Sequence, residues 1–140
     1  MSISAASLKV GDSKEQLLVD DLTRTQIVMY AGASGDYNPL HSDEKFAREV
    51  AGYPGIFAHG MLTMGMTGRV VTDWFDVGRV TKYGVRFVRQ VWPGATLTAT
   101  AVVDAIREED GAQFADVSIT TVDAEGTTVL TGTATARLDP

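Results

Sequence analysis

The chain has 140 residues, of which 44% are hydrophobic and 21% charged, with a formal net charge of -6 at pH 7. That length and balance fit one globular domain with a real core, and an acidic chain without a Lys/Arg cluster is a poor match for nucleic acid. Cysteine is absent, which removes disulfides, Cys-zinc sites and a thiolate nucleophile. No run reaches the ~18 apolar residues of a membrane span, and the first ten residues lack the basic-then-apolar order of a signal peptide, so a cytoplasmic location is expected.

Residues 8–12 end in a turn signal, and residues 16–22 read as a short edge strand. Thr23 is a plausible helix N-cap, and Gln26 completes a capping box that opens a helix filled by Ile27, Val28, Tyr30 and Ala31. Gly32 to Gly35 ends it. A second short helix is expected over residues 43–50, capped by Ser42 or Asp43 and broken by the Gly52–Gly55 stretch around Pro54. A third helix should start near His59 and run to about Trp74. Met61, Leu62, Met64, Met66, Val70, Val71 and Trp74 occupy nearly all its sides, which predicts a buried helix. Its interior Gly65 and Gly68 cost about 1 kcal/mol each relative to alanine, a cost that suits close approach by another backbone.

The second half alternates with a period of two. The runs are residues 81–91 (Tyr83, Val85, Phe87), 97–106 (Leu97, Ala99, Ala101, Val103, Ala105), 115–121 (Ala115, Val117, Ile119) and 128–138 (Leu130, Gly132, Ala134, Ala136, Leu138). Asp110-Gly111 and the stretch from Asp123 to Gly126 are hairpin signals, and Pro93-Gly94 marks a bend. Arg86 and Arg89 read as the solvated face of a strand. With no repeat or linker, residues 1–140 form one α+β domain, an antiparallel sheet wrapped by its small-residue face around a central apolar helix.

The chemistry concentrates where the two histidines lie. Asp36 and His41 flank Asn38-Pro39, and proline stiffens this loop. A carboxylate and an imidazole held on one rigid loop can share a water and act as acid and base; the bland alternative is an Asx turn at Asp36 and a carbonyl contact for His41. His59 either packs between layers or touches substrate. Gly60 opens the third helix, where unsatisfied N–H groups and the positive end of the dipole suit a carbonyl oxygen. Phe57, Tyr37, Met61, Met64, Met66 and Phe87 could line an apolar tunnel, although methionines at helical spacing are more often core. A metal held by Asp36, His41 and His59 lacks the usual ligand spacing, so none is expected. Ser34 and Ser42 have no Gly-x-Ser-x-Gly elbow, no G-x-G-x-x-G follows a strand, and no cofactor is expected.

The run Gly35-Asp36-Tyr37-Asn38-Pro39-Leu40-His41, followed by Ala58-His59-Gly60-Met61-Leu62, closely resembles the MaoC-like (R)-specific enoyl-thioester hydratases, the hydratase-2 family. The continuation Thr63-Met64-Gly65-Met66 and Tyr83-Gly84-Val85-Arg86-Phe87 is most similar to the catalytic β subunits of mycobacterial fatty-acid-synthase-II 3-hydroxyacyl-ACP dehydratases. The resemblance implies a hot-dog fold that pairs into a homodimer or a heterodimer with another hot-dog subunit. It also implies reversible hydration of trans-2-enoyl thioesters of CoA or acyl carrier protein to (R)-3-hydroxyacyl thioesters. On that basis Asp36 and His41 are the acid–base pair, Asn38 supports the loop, and the Gly60 N–H polarises the thioester carbonyl. Tyr37, Asn38, Phe57, His59, Met61, Met64 and Phe87 are expected around the substrate. A water-holding serine of some family members falls at Gly68 here, with Thr67 or Thr72 as the available substitutes. Two rivals share the fold. A hot-dog thioesterase usually carries a carboxylate on the central helix, which residues 61–68 lack; a non-catalytic partner subunit would be expected to have lost Asp36 or His41.

Overall fold

The computed structural model describes residues 3–140. Strand β1 (Ser13–Val19) leads into helix α1 (Arg24–Ser34), an irregular segment with two short helical turns, and the long helix α2 (Gly60–Phe75). Strands β2 (Val80–Phe87), β3 (Leu97–Glu109), β4 (Ala112–Val122) and β5 (Thr128–Arg137) follow. They form one antiparallel sheet in the order β1-β3-β4-β5-β2. The α+β hot-dog expectation therefore holds, with β3–β4–β5 as the meander. Asp110 and Gly111 both take positive φ, 51° and 78°, the conformation a two-residue hairpin needs to match strand twist. Between β4 and β5, Asp123 Oδ1 accepts the N–H groups of Glu125 and Thr127 at 2.9 and 3.0 Å.

The first strand lies three residues earlier than expected. Leu22, expected as its last residue, sits instead in a turn that begins at Asp21 (φ 57°). There the Leu22 N–H donates to Ala95 O at 2.8 Å and the Gly94 N–H donates to Leu22 O at 2.7 Å. The predicted capping box is present, with Thr23 and Gln26 bonding each other's backbone N–H. Asp43 caps the second short helix by accepting the Phe46 N–H at 3.1 Å, and that helix widens into a π-helical turn over Phe46–Val50.

The core is a curled sheet against one face of α2. Ala99, Ala101, Ala115, Ala134 and Ala136 are all buried beside Val103, Val117 and Ile119; short side chains let the sheet approach the helix closely. The helix presents Thr63, Thr67, Val70, Val71 and Phe75 to it. α2 is not buried all round, as its composition suggested. Met61 is 59% exposed, Gly65 and Arg69 are exposed, and Met64 and Met66 are half-buried, because the sheet covers only one side. Contrary to expectation, no second backbone approaches either glycine: at Gly68 the close neighbour is a side chain, the Tyr83 ring, 3.3 Å from where a Cβ would lie, and Gly65 has open space beside it. Tyr83 donates its hydroxyl to Met64 O at 2.6 Å, and burial pushes its phenol up to about 12.

One buried polar contact ties helix to sheet: Thr67 Oγ1 and Thr121 Oγ1 are 2.8 Å apart, and both residues are fully buried. A second polar centre holds the irregular segment. Glu44 accepts from Arg24 Nε and Nη2 at 3.0 and 2.6 Å and from the Ile56 N–H at 3.2 Å, with Arg48 3.6 Å away. The Arg24 guanidinium holds the Glu44 carboxyl below the usual carboxylate range. Glu44 thus joins α1 to the strand-like stretch that enters α2.

Two outcomes follow from these contacts. Thr67→Val leaves the Thr121 hydroxyl buried without a partner and lowers unfolding free energy by about 1–3 kcal/mol, whereas adding Thr121→Val recovers much of the loss; urea denaturation of the three variants checks this. Because the carboxyl of Glu44 titrates lower folded than unfolded, its contribution is present above the unfolded value and fades as pH falls through the folded one. Glu44→Gln therefore flattens the fall in melting temperature between about pH 5 and 3 while lowering the midpoint at neutral pH. A parallel acid limb in variant and wild type would contradict this.

Candidate active site

Gly35, at φ 76°, ends α1 by donating its N–H to Ala31 O at 3.0 Å. The chain then enters a loop that caps itself. The Asn38 N–H donates to Asp36 Oδ1 at 3.3 Å and the Leu40 N–H to Asn38 Oδ1 at 3.0 Å. Pro39 starts the short helical turn Pro39–His41. The Asx turn at Asp36 is present and leaves its second oxygen for other contacts: Oδ1 is used by the loop, while Oδ2 faces His41 Nε2 across 4.0 Å.

His41 is 8% exposed, and its Nδ1 lies 2.6 Å from Phe57 O. A carbonyl only accepts, so Nδ1 carries the proton and the lone pair of the neutral ring is on Nε2, the atom turned to Asp36. His59, 1% exposed, works from behind. Its Nε2–H donates to Asp36 O at 3.0 Å, and its ring stacks on His41 with centroids 3.8 Å apart and planes 24° apart. Tyr30 packs edge-on against His59, and Phe57 against His41. These contacts fix both rings and leave His41 Nε2 and the buried His59 Nδ1 without a hydrogen bond among the described residues.

The ligand atoms of Asp36, His41 and His59 lie within 4.8 Å of one another, close enough to raise the question of a metal. The stacking argues against one. Lone pairs lie in the ring planes, and two nearly parallel planes do not converge on a point about 2.1 Å from each nitrogen. The carbonyl contacts of His41 Nδ1 and His59 Nε2 leave His41 Nε2 and His59 Nδ1 as the ring nitrogens without a hydrogen bond among the described residues.

Directly after His59, α2 begins at Gly60, with His59 as N-cap in an extended conformation and no side-chain cap bond. Among the described residues the Gly60 N–H has no acceptor, so it faces outward at the positive end of a helix of 16 residues. A Cβ at Gly60 would lie 3.1 Å from the Phe87 ring, which explains the glycine. A cavity of about 280 Å³ opens here, lined by Phe57, Gly60, Thr63 and Phe87 among others. Thr63 escaped sequence reasoning: it is buried, and its hydroxyl donates to Gly60 O at 2.8 Å. Its only signal was lying one turn beyond the glycine.

Of the residues expected around a substrate, the fold brings Asn38, Phe57, His59 and Phe87 together with Asp36, His41 and Gly60. Tyr37 is 72% exposed and Met61 59% exposed; the cavity beside Gly60 is lined by neither of them, nor by Asp36, Asn38, His41 or His59, and Phe57 and Gly60 link it to the histidine pair. Met64 packs against the core instead. Thr67 and Thr72 do not stand in for the missing serine. The first hydroxyl is bonded to Thr121, and the second turns back on the Gly68 and Arg69 carbonyls of its own helix, 3.4 Å from each.

Comparison with known proteins agrees with this fold. A 3-hydroxyacyl-thioester dehydratase of Mycobacterium tuberculosis is 39% identical over 83 residues, which are 57% of this chain and 29% of that protein. The solved (R)-hydratase of A. caviae involved in PHA biosynthesis superposes with a TM-score of 0.77 at 27% identity, over 96% of this chain and 100% of that one. The ChsH1-ChsH2 complex from M. tuberculosis, at 22% identity, shares the fold with a TM-score of 0.78 over 94% of this chain and 98% of that one. The chain spans under a third of the length of the curated mycobacterial relatives it matches. The family model described as a MaoC like domain matches residues 7–126, and the protein belongs to the MaoC-like domain family.

Proposed function

We propose that the protein catalyses reversible addition of water to trans-2-enoyl thioesters of CoA or acyl carrier protein, giving (R)-3-hydroxyacyl thioesters. The observation that carries this reading is the 4.0 Å gap between His41 Nε2 and Asp36 Oδ2, with Nδ1 committed to Phe57 O. Both facing atoms are acceptors. A water about 2.8 Å from each subtends roughly 90° between them, near its own bond angle, and donates one hydrogen to each. Its lone pairs are then turned outward, toward the β-carbon of a bound enoyl group.

The reaction needs two further things, and the site offers both. Negative charge builds on the thioester oxygen as the enolate forms, and the unoccupied Gly60 N–H at the start of α2 stabilises that charge more in the transition state than in the ground state. The water loses one proton to the Asp36–His41 pair as oxygen bonds the β-carbon, and the same pair returns a proton to Cα. Dehydration runs the steps in reverse. His59 is a positioning residue: it fixes Asp36 through the main-chain carbonyl and His41 through stacking. Phe57 and Phe87 face the acyl part, and residues 1–140 act as one hot-dog unit. The apolar rim formed by Phe87 and Val88, each about half exposed, suits cover by a second hot-dog subunit, identical or different. Among the described residues no helix is long and apolar enough to cross a membrane.

Asp36→Asn and His41→Ala are each expected to lower kcat for hydration of crotonyl-CoA by about 10²–10⁴-fold, the range of a removed acid–base group, with the fold intact by circular dichroism. The assay follows loss of enoyl absorbance while a thiol reagent is present. Absorbance loss without free thiol supports hydration; thiol release would identify a thioesterase. Wild-type turnover in either variant would remove the pair from the mechanism.

A further inference from the structure

Arg86 and Arg89 read alike in the sequence but part company in the structure. Arg86 belongs to β2, opposite Thr131, and lines a shallow outer hollow of the sheet with Ser118 and Thr133. Arg89 lies beyond the end of β2 and lines the cavity that contains Gly60, together with Phe57, Thr63, Phe87 and Gln90. No residue lining that cavity is acidic, and Arg89 is its sole charge. Elsewhere Arg24, Arg48, Arg79 and Arg107 are each paired with carboxylates, Arg69 reaches Leu18 O, and Arg86 and Arg137, without such partners, line other hollows. Among the described residues Arg89 has neither an ion pair nor a side-chain hydrogen bond.

Its backbone is nevertheless firmly held. The Val88 and Arg89 N–H groups both donate to Val129 O, at 2.9 and 3.2 Å. Two successive amides on one carbonyl is the pattern of a β-bulge, a device that re-aims a side chain beside a site. Two residues on, Val91 O accepts the Ala58 N–H at 2.8 Å. The segment carrying Arg89 is thus pinned on one side to β5 and on the other to the residue two before Gly60. A free guanidinium in a fixed relation to the carbonyl-binding amide is suited to a planar, multiply bonded anion. It matters the more in a chain of net charge -6, which as a whole repels anions.

We infer that Arg89 binds a phosphate of the group that carries the thioester, so that the cavity favours phosphate-bearing thioesters over bare ones; this rests on the hydratase reading above. The chemistry is common to CoA and to the phosphopantetheine arm of a carrier protein.

The test compares wild type, Arg89→Ala and Arg89→Lys on three crotonyl thioesters: of CoA, of 4′-phosphopantetheine, and of N-acetylcysteamine, which has no phosphate. The expected result is a fall of about tenfold or more in the kcat/KM preference for CoA over N-acetylcysteamine in Arg89→Ala. The change should be carried by KM, with partial recovery in Arg89→Lys. Loss of preference with phosphopantetheine as well assigns the contact to the arm's phosphate; loss with CoA alone assigns it to the nucleotide phosphates. An unchanged preference, or an equal loss on all three thioesters, overturns the inference. Calorimetric titration with free CoA gives a readout independent of turnover. If wild type hydrates none of the thioesters, the hydratase reading fails, while equal CoA affinity in wild type and Arg89→Ala would refute the phosphate contact on its own.

Discussion

The site depends on one hydrogen bond, from His41 Nδ1 to the Phe57 carbonyl at 2.6 Å. It decides which ring nitrogen holds the lone pair. Were Nδ1 free, the neutral ring could place its proton on Nε2, and that atom would meet Asp36 as a hydrogen-bond donor. With Nδ1 committed, the neutral ring turns an acceptor toward the Asp36 carboxylate, and a molecule with two hydrogens can bridge the two. A carbonyl from a neighbouring segment thus controls the chemistry of the loop.

That control in turn rests on where Phe57 is held. Its own N–H donates to Leu40 O at 3.2 Å, the next residue's N–H donates to Val91 O, and the preceding residue's N–H is taken by Glu44. The short stretch before α2 is therefore stitched to the His41 turn, to the segment after β2 and to α1 at once. The curled sheet has little direct contact with the acid–base pair. Its part is to seat α2, whose first residue Gly60 follows His59 directly, and the small side chains of β3, β4 and β5 make that seating close.

Local features were legible in the sequence because their partners are a few residues apart. The Thr23–Gln26 box, the Asp110-Gly111 turn, the stiff Asn38-Pro39 loop and the alternation of β3 to β5 all belong to this class, and so does the start of α2 at Gly60. The elements of the site that were missed are tertiary. Nothing near Glu44 in the chain marks Arg24 or Ile56 as partners. Nothing local separates Arg89 from Arg86, since only the fold puts one beside Gly60 and the other over an outer hollow. The methionines misled because a helix can be rich in apolar residues and still be covered on one side alone. Thr67 misled for a related reason: its hydroxyl, available in principle to a catalytic water, is spent on holding helix to sheet.

His59 shows how structural and chemical roles merge. Its Nδ1 is buried without a hydrogen-bond partner among the described residues, a cost of about 1–3 kcal/mol for an unsatisfied buried group. An apolar residue of similar shape would avoid that cost, but it could not donate to the Asp36 carbonyl or stack an imidazole on His41. The ring spends one nitrogen on orienting the carboxylate's backbone and leaves the other unpaired, and its face supports the neighbouring imidazole. A histidine here is thus explained by what it does for two other residues. The ring stack, the two edge-on aromatic contacts and the two carbonyl bonds together leave His41 Nε2 as the ring nitrogen that faces the Asp36 carboxylate.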